Sequence, residues 1–162
     1  MNDHAPAAPR SGLYLEDLSV GDTFVTEKRL VDESQIITFA RQFDPQPFHL
    51  DEQAAQHSFF GGLAASGWHT AAVTMGLLVT SGLPFANGII GAGGEITWPS
   101  ATRPGDVLHV ESTIEAITPS RSKPDRAIVT VRNETMTEAR EVREVLVAKL
   151  LVFRRPTGPA LP

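Results

Sequence analysis

Asp44 and His49 are the side chains in this sequence whose types and spacing best suit acid–base chemistry. They lie five positions apart in the segment FDPQPFHLD. Pro45 and Pro47 stand between them and stiffen the chain, because proline fixes its own φ and favours extended backbone before it. A carboxylate and an imidazole held in a fixed relation can divide the proton transfers of a reaction between them. The structural alternative is that Asp44 forms a turn and His49 is an ordinary core residue.

A second candidate site stands at the start of SGWHTAAVTMGLLVTSG, a segment without a single Asp, Glu, Lys or Arg. Such a segment predicts a buried helix, with Ser66 as N-cap and Gly82 at its C-terminal end. The N–H groups at a helix N-terminus favour negative charge, and Gly67 follows directly after the predicted N-cap. A glycine also lets a ligand approach the backbone closely. Close helix packing explains Gly67 equally well.

Caps and apolar periodicity predict the elements that position these candidates. Asp32 and Gln35 have the spacing of a capping box, and an apolar helical face follows them. This helix ends before Pro45, which places Asp44 at its C-terminal end. Residues 51–58 predict one or two turns of a short helix, and a loop or extended segment, FFGGLAAS, leads to the apolar helix.

The second half of the chain predicts strands. Four segments are rich in Val, Ile and Thr and partly alternate apolar with polar residues: GIIGAGGEITWP, DVLHVESTIEAI, RAIVTVRNETMT and EVREVLVAKLLVF. A further strand-like run, VGDTFVTEKRLV, precedes the first helix. Consecutive strands joined by short turns form an antiparallel sheet, so we expect an α+β fold with the sheet wrapped around the long buried central helix.

Length and composition predict one domain and exclude several classes of protein. With 162 residues, 41% hydrophobic and 20% charged, the chain suits a single domain over residues 13–155, with flexible tails at 1–12 and 156–162. A net charge of −5 without a dense basic run disfavours nucleic acid, and no apolar run is long enough to span a membrane. The absence of cysteine excludes thiolate nucleophiles. We expect a cytoplasmic protein, since the start lacks the apolar core of a signal peptide.

No metal site is expected. His49, Asp51 and His57 match no established spacing of metal ligands, and a solvated short helix accounts for the last two. The glycines of GIIGAGGE precede a predicted strand instead of a helix, which disfavours a dinucleotide-binding loop.

The motif around Asp44 and His49 resembles a known family. FDPQPFHLD followed by GGLAASGWHTAA is similar to the MaoC-like dehydratases, which have the hotdog fold and include R-specific enoyl-CoA hydratases. Their hydratase motif is Asp-x-Asn-Pro-x-His followed by Leu or Met and Asp. Here Gln46 replaces the usual Asn, and Ser66 replaces a His that often precedes the glycine. EDLSVGD and RPGD extend the resemblance over nearly the whole chain.

The resemblance implies roles for the candidate residues. Asp44 and His49 would hold and activate water, and the Gly67 N–H would bind the thioester oxygen. The adjoining polar and aromatic side chains are assigned to substrate binding: Gln46, Ser66 and Trp68. As single residues, Trp68 and Trp98 are most simply explained as core or interface aromatics.

The activity implied is the reversible addition of water to an enoyl-CoA, without metal or redox cofactor and with coenzyme A as part of the substrate. A hotdog acyl-CoA thioesterase and a non-catalytic acyl-CoA-binding protein are the alternatives. Relatives of this kind pair their sheets edge to edge, so a homodimer or a multiple of it is expected. A basic turn could contact the coenzyme A phosphates, but a charged surface turn is the favoured explanation for its residues: Arg121, Lys123 and Arg126.

Overall fold

The structure, a computed structural model, describes residues 12–157. The predicted tails therefore lie almost wholly outside the described residues, at 1–11 and 158–162. Within the described part, strands form one sheet with the order β1-β4-β5-β6-β3, and β2 also pairs with β4. The strands are β1 (Thr23–Val25), β2 (Arg29–Leu30), β3 (Gly91–Thr97), β4 (Val107–Pro119), β5 (Arg126–Thr137) and β6 (Val142–Phe153).

The helices precede most of the sheet in the chain. A 3-10 turn (Leu15–Asp17) is followed by α1 (Glu33–Phe43), α2 (Pro47–Leu50), α3 (Glu52–Gln56) and α4 (Gly67–Leu77), which continues as a π-helical turn at Leu78–Gly82. The predicted capping box begins α1: the Asp32 carboxylate accepts from the Gln35 N–H at 2.8 Å. The Asp51 carboxylate caps α3 by accepting from the Ala54 N–H at 2.8 Å. The predicted α+β architecture is confirmed.

One feature of the topology differs from a simple run of hairpins. Strands β4, β5 and β6 form an antiparallel meander, but β3 pairs with β6 and not with β4, which follows it in the chain. Residues 98–106 therefore cross from one side of the sheet to the other. On this path Thr102 is tied to the start of α4, since its carbonyl accepts from the Ala65 N–H at 2.9 Å.

The core lies between the sheet and one face of α4. Val73 and Leu77 of the helix pack with buried residues of the central strands, among them Val110, Val129 and Ile114. Apolar side chains at alternate positions of these strands face the helix, as the period of two in a strand requires. This packing explains why the helix needs no charged residue on its inner side.

The opposite face of α4 is open in the single chain, which corrects the expectation of a helix buried on all sides. Trp68, Met75 and Val79 are 61%, 43% and 63% exposed, and they recur at helical spacing. Strand β3, at the end of the sheet beside this face, is also exposed along nearly its whole length. The apolar composition of α4 therefore reflects two surfaces, of which the fold of one chain covers one.

No helix within residues 12–157 has both the length and the apolar character required to cross a bilayer.

Candidate active site

Asp44 and His49 are brought together by a break between two helices. Asp44 is the C-cap of α1, where its N–H donates to the Ala40 carbonyl at 2.9 Å. The prolines were expected to stiffen the segment between the pair, and a one-turn helix that the sequence did not predict, α2, begins at Pro47 within it. Proline suits the first helical position because its missing N–H would have no partner there anyway. The prolines thus end one helix and begin the next, and both polar side chains face the same space.

The imidazole of His49 is buried and its tautomer follows from its neighbours. Its Nδ1 lies 2.7 Å from the Ala64 carbonyl oxygen, which can only accept, so Nδ1 carries a hydrogen. Nε2 faces Asp44, with 3.4 Å between Nε2 and Oδ2. In neutral His49 both of these atoms are acceptors. A water molecule can satisfy them by donating one hydrogen to each.

The carboxylate of Asp44 is kept ionised by its surroundings. Burial by itself would raise its pKa, but donors beside it and the His49 imidazole outweigh burial and lower the pKa below the ordinary value of 3.8. The donors are the Ser66 hydroxyl and the Gln46 amide, whose Nε2 donates to Oδ1 at 2.7 Å. Gln46, expected in substrate binding, thus orients Asp44. At neutral pH this carboxylate is available as a proton acceptor.

The N-terminus of α4 lies across the same space. Ser66 caps it as predicted, its hydroxyl oxygen accepting from the Trp68 N–H at 3.2 Å. The Gly67 N–H donates to no acceptor within residues 12–157, as expected for the first residue of a helix. An unpaired N–H at the positive end of the helix dipole is a site where an anionic oxygen is favoured.

Gly67 has a packing role as well. A Cβ at this position would lie 2.8 Å from the nearest ring atom of Trp98, closer than carbon atoms approach without displacement. The alternative of close packing is therefore realised, with an indole from the segment after β3 in place of a second helix. Trp98 also packs edge-on against Trp68, with ring centroids 5.4 Å apart.

A cavity of about 620 Å³ joins these parts. This volume is in the range of sites for small molecules and cofactors. All six residues expected at the site from the sequence line it: Asp44, Gln46, His49, Ser66, Gly67 and Trp68. Other lining residues were not assigned to the site beforehand, among them Phe48, Phe60, Trp98, Thr102 and Arg103.

Arg103 holds the loop that forms one wall of the cavity. Its guanidinium donates to the Phe60 carbonyl at 2.6 Å and to the Gly62 carbonyl at 2.9 Å. The ring of Phe60 packs against Phe48, with centroids 5.0 Å apart. In the sequence, Arg103 belongs to the RPGD turn, and nothing in that turn indicates that its side chain reaches back to residues 60–62.

The other sequence candidates lie apart from the cavity. Neither Arg121, Lys123 nor Arg126 lines it, and Arg126 is paired with Asp125 at 2.8 Å. Within residues 12–157, no group of three or more His, Cys, Asp or Glu side chains is arranged to hold a metal ion.

Comparison with known proteins decides the family. The family model described as "MaoC like domain" matches residues 17–139. This chain belongs to the MaoC-like dehydratase family. The fold is accordingly the hotdog fold, with α4 as its central helix.

Individual MaoC-like proteins extend this comparison. A 3-hydroxybutyryl-CoA dehydratase from Methylorubrum extorquens is 31% identical over 112 residues, which cover 68% of this chain and 69% of that protein. The crystal structure of a MaoC-like dehydratase from Rhodospirillum rubrum is 65% identical with a TM-score of 0.89, covering 90% of this chain and 99% of that one. The unliganded R-hydratase PhaJ1 from Pseudomonas aeruginosa shares the fold at 21% identity, with a TM-score of 0.70 and coverage of 93% and 94%.

Proposed function

We propose that this MaoC-like protein is a hydratase/dehydratase that adds water reversibly across the α,β double bond of an enoyl-CoA thioester. The observation that carries the proposal is the Asp44–His49 pair, 3.4 Å apart, facing a cavity that also contains the N-terminus of α4. An acid–base pair and an oxyanion site are the two requirements of this reaction.

The pair supports a balanced transfer of protons. A water molecule held by the Asp44 carboxylate and the His49 Nε2 gives one proton to the pair as its oxygen attacks C3 of the enoyl group. The pair then returns that proton to C2, so that the substrate gains one OH and one H. Each proton transfer assisted in this way typically contributes about 10²–10⁴-fold to the rate.

The Gly67 amide supports the other half of the reaction. Attack at C3 places negative charge on the thioester oxygen, which becomes an enolate oxygen. A rigid N–H at a helix N-terminus, with no other acceptor within residues 12–157, stabilises that charge without reorganisation. Addition of water requires no redox change in a cofactor, and coenzyme A enters as part of the substrate.

The substrate to test first follows from a relative. The Methylorubrum extorquens protein is named for 3-hydroxybutyryl-CoA, whose dehydration product is the four-carbon enoyl-CoA, crotonyl-CoA. Purified protein incubated with crotonyl-CoA is expected to remove the absorbance of the conjugated enoyl thioester without releasing free thiol. Thiol release would identify a thioesterase instead, and binding of a panel of short enoyl-CoAs without turnover would identify a non-catalytic binding protein.

Variants test the acid–base pair. Asp44→Asn and His49→Ala are each expected to lower kcat by about 10²–10⁴-fold while the protein stays folded. Asp51→Asn is the matched control, because Asp51 belongs to the same motif but caps α3, and asparagine caps helices equally well. Wild-type turnover in folded Asp44→Asn protein would rule out the proposed pair.

The open face of α4 supports a homodimer. An apolar groove of about 470 Å³ lies between this face and β3, lined by Trp68, Met75 and Ile96 among others. Among the strands of residues 12–157, β3 pairs only with β6, so the outer edge of β3 has N–H and C=O groups without a strand partner there. A second copy related by a two-fold axis can pair the two β3 edges and cover both apolar faces.

The cytoplasmic location remains a prediction from the sequence.

A further inference from the structure

Glu144 is a buried acid that the proposed reaction does not use. It lies on β6 and has no exposed surface. One carboxyl oxygen, Oε2, accepts from the Trp98 indole N–H at 3.0 Å, whereas Oε1 has no hydrogen-bond partner in the described part of the chain. Burying a carboxyl group without full pairing is costly, and such groups occur preferentially where they have a function.

The groups around Glu144 are neutral. Thr135 stands opposite it on β5, and the Thr135 hydroxyl lies 2.6 Å from that of Thr74 in the middle of α4. The preceding residue on the strand, Arg143, is engaged elsewhere, with its Nε donating to the Asp106 carboxylate at 2.9 Å. No cation therefore neutralises Glu144 within residues 12–157, and burial raises its pKa to about 7. The hydrogen bond from Trp98 lowers the pKa by less than burial raises it, and so does the nearby Thr74 hydroxyl, although the hydrogen-bond partner of that hydroxyl is Thr135.

Trp98 connects this acid to the active site. Its indole has a single polar atom, a donor, and that donor is bound by Glu144. The ring lies against the Cα of Gly67, where a Cβ would come within 2.8 Å of it, and it lines the cavity. The indole thus forms the part of the cavity wall that lies against Gly67.

We propose that Glu144 is a positioning residue of the active site, which holds the Trp98 indole against Gly67 and so fixes the wall beside the oxyanion-binding amide. The inference rests on the proposed hydratase function. A wall that excludes water strengthens the hydrogen bond from the amide to the enolate oxygen, because electrostatic interactions are stronger in a dry site. The effect belongs to the transition state and is expected in kcat more than in KM.

The kinetic test compares two substitutions of Glu144. Glu144→Gln keeps a carbonyl oxygen that accepts from Trp98, so kcat is expected to stay within about three-fold of wild type. Glu144→Leu removes the acceptor, and kcat with crotonyl-CoA is expected to fall by about 10–100-fold with little change in KM, the range that small misplacements in active sites produce. Ser112→Ala is the control for a lost buried hydrogen bond, since Ser112 pairs with Asn133 at 2.7 Å and lines no part of the cavity.

A double-mutant cycle asks whether Glu144 acts through Trp98. Trp98→Phe removes the N–H that Glu144 binds, so Glu144→Leu is expected to cause no further loss of kcat in that background. Two losses that multiply would overturn the proposal, as would wild-type kcat in Glu144→Leu.

Fluorescence tests the contact without turnover. The chain has two tryptophans, so Trp68→Phe leaves Trp98 as the only one. Its emission is expected to change with a midpoint near pH 7 as Glu144 ionises, and Glu144→Gln is expected to abolish that change. Glu144→Leu removes the acceptor of the indole N–H and is expected to change the Trp98 emission, whereas Glu144→Gln is expected to keep it close to that of wild type at low pH. Identical Trp98 emission in Glu144→Leu and Glu144→Gln would overturn the proposal. This measurement needs no substrate. A protein that is inactive on enoyl-CoAs would therefore refute the proposed function, while the fluorescence would still test the contact between Glu144 and Trp98.

Discussion

The tautomer of His49 and the orientation of Asp44 each depend on a single neighbouring group. The Ala64 carbonyl assigns the hydrogen of His49 to Nδ1, and the Gln46 amide donates to Asp44. Both contacts orient acceptors towards the space between the two side chains. A site of this kind can hold a water molecule through its geometry.

Gly67 gives a prediction about the addition of a single methyl group to the site. Gly67→Ala would place a Cβ 2.8 Å from the Trp98 ring, so the indole must move away from the amide. We expect kcat to fall by at least about ten-fold and stability by about 1–3 kcal/mol, as for other overpacked sites. Kinetics with an enoyl-CoA measures the change in kcat, and thermal unfolding measures the change in stability.

Gly76→Ala, on the same helix, is the matched control for this substitution. Its Cβ would meet only the end of the flexible Arg29 side chain, at 3.3 Å. Since alanine favours helix over glycine by about 1 kcal/mol, this variant is expected to be as stable as wild type or more so. A Gly67→Ala protein that behaved like Gly76→Ala would contradict the contact with Trp98.

Glu144 gives a prediction about pH. Its pKa rises from 4.5 to about 7 on folding, so the folded protein binds more protons than the unfolded chain between these values. Stability therefore falls as pH rises through this window, and the loss is complete above pH 7. Glu144→Gln lacks this loss, and its unfolding free energy relative to wild type is expected to increase by about 3 kcal/mol from pH 4 to pH 8.

Denaturant unfolding at a series of pH values measures this difference. Glu115→Gln, at an exposed position of β4, serves as the control and is expected to follow wild type. A Glu144→Gln curve parallel to wild type across the same range would show that Glu144 ionises in the folded protein as it does in water.

At the scale of elements, the site is assembled from connections between helices and strands. The break between α1 and α2 supplies Asp44 and His49, the loop before α4 supplies Ser66, and the crossing segment after β3 supplies Trp98 and Arg103. Loops of this kind carry function because a rigid core holds their ends. Here the core is α4 packed on the central strands.

The loop held by Arg103 gives a prediction at this scale. Lysine has a single ammonium group and cannot reproduce the forked contacts with the Phe60 and Gly62 carbonyls. Arg103→Lys is therefore expected to loosen the wall formed by Phe60 and to raise KM by about five-fold, since ordering a side chain on binding costs about 1 kcal/mol. kcat is expected to stay within about two-fold.

Steady-state kinetics with crotonyl-CoA separates the two parameters. Arg132→Lys is the control, because Arg132 pairs with Glu134 on the same strand and does not line the cavity. An unchanged KM in Arg103→Lys would show that the loop holds its position without the fork.

At the scale of the whole molecule, one chain leaves apolar surface and a strand edge open on the same side. Exposed Trp68 and Met75 line a groove together with residues of β3, and Val79 is exposed one helical turn beyond Met75. Exposed apolar area and an unpaired edge each favour association, and a symmetric dimer covers both at once.

Dimer formation can be tested with one charge. Met75→Asp and Val79→Asp are made as two single variants, and each would bury one carboxylate in the proposed interface. For each variant we expect the mass measured by light scattering to fall from that of a dimer towards that of a monomer. Val25→Asp is the control, since Val25 is 62% exposed on β1, at the other side of the sheet. A wild-type protein that is already monomeric at micromolar concentration would refute the dimer.

Local signals in the sequence determined much of this protein. The capping box of Asp32 and Gln35, the cap at Ser66, the alternation in the strands and the motif from Asp44 to Asp51 act over a few residues, and each is visible in the chain itself. They were sufficient to predict α1, α3, α4 and the antiparallel sheet, but not the one-turn helix α2. The six site residues that the cavity brings together were assigned through the resemblance of the motif to a family.

Only the tertiary structure decided which distant residues complete the site. Trp98 meets Gly67, Glu144 binds Trp98, and Arg103 reaches back to residues 60–62, because the chain crosses the sheet between β3 and β4. No local pattern encodes these contacts, since they depend on how strands far apart in sequence are ordered in space. The same reason applies to α4: its apolar composition indicated burial, and packing alone determined which face a single chain covers.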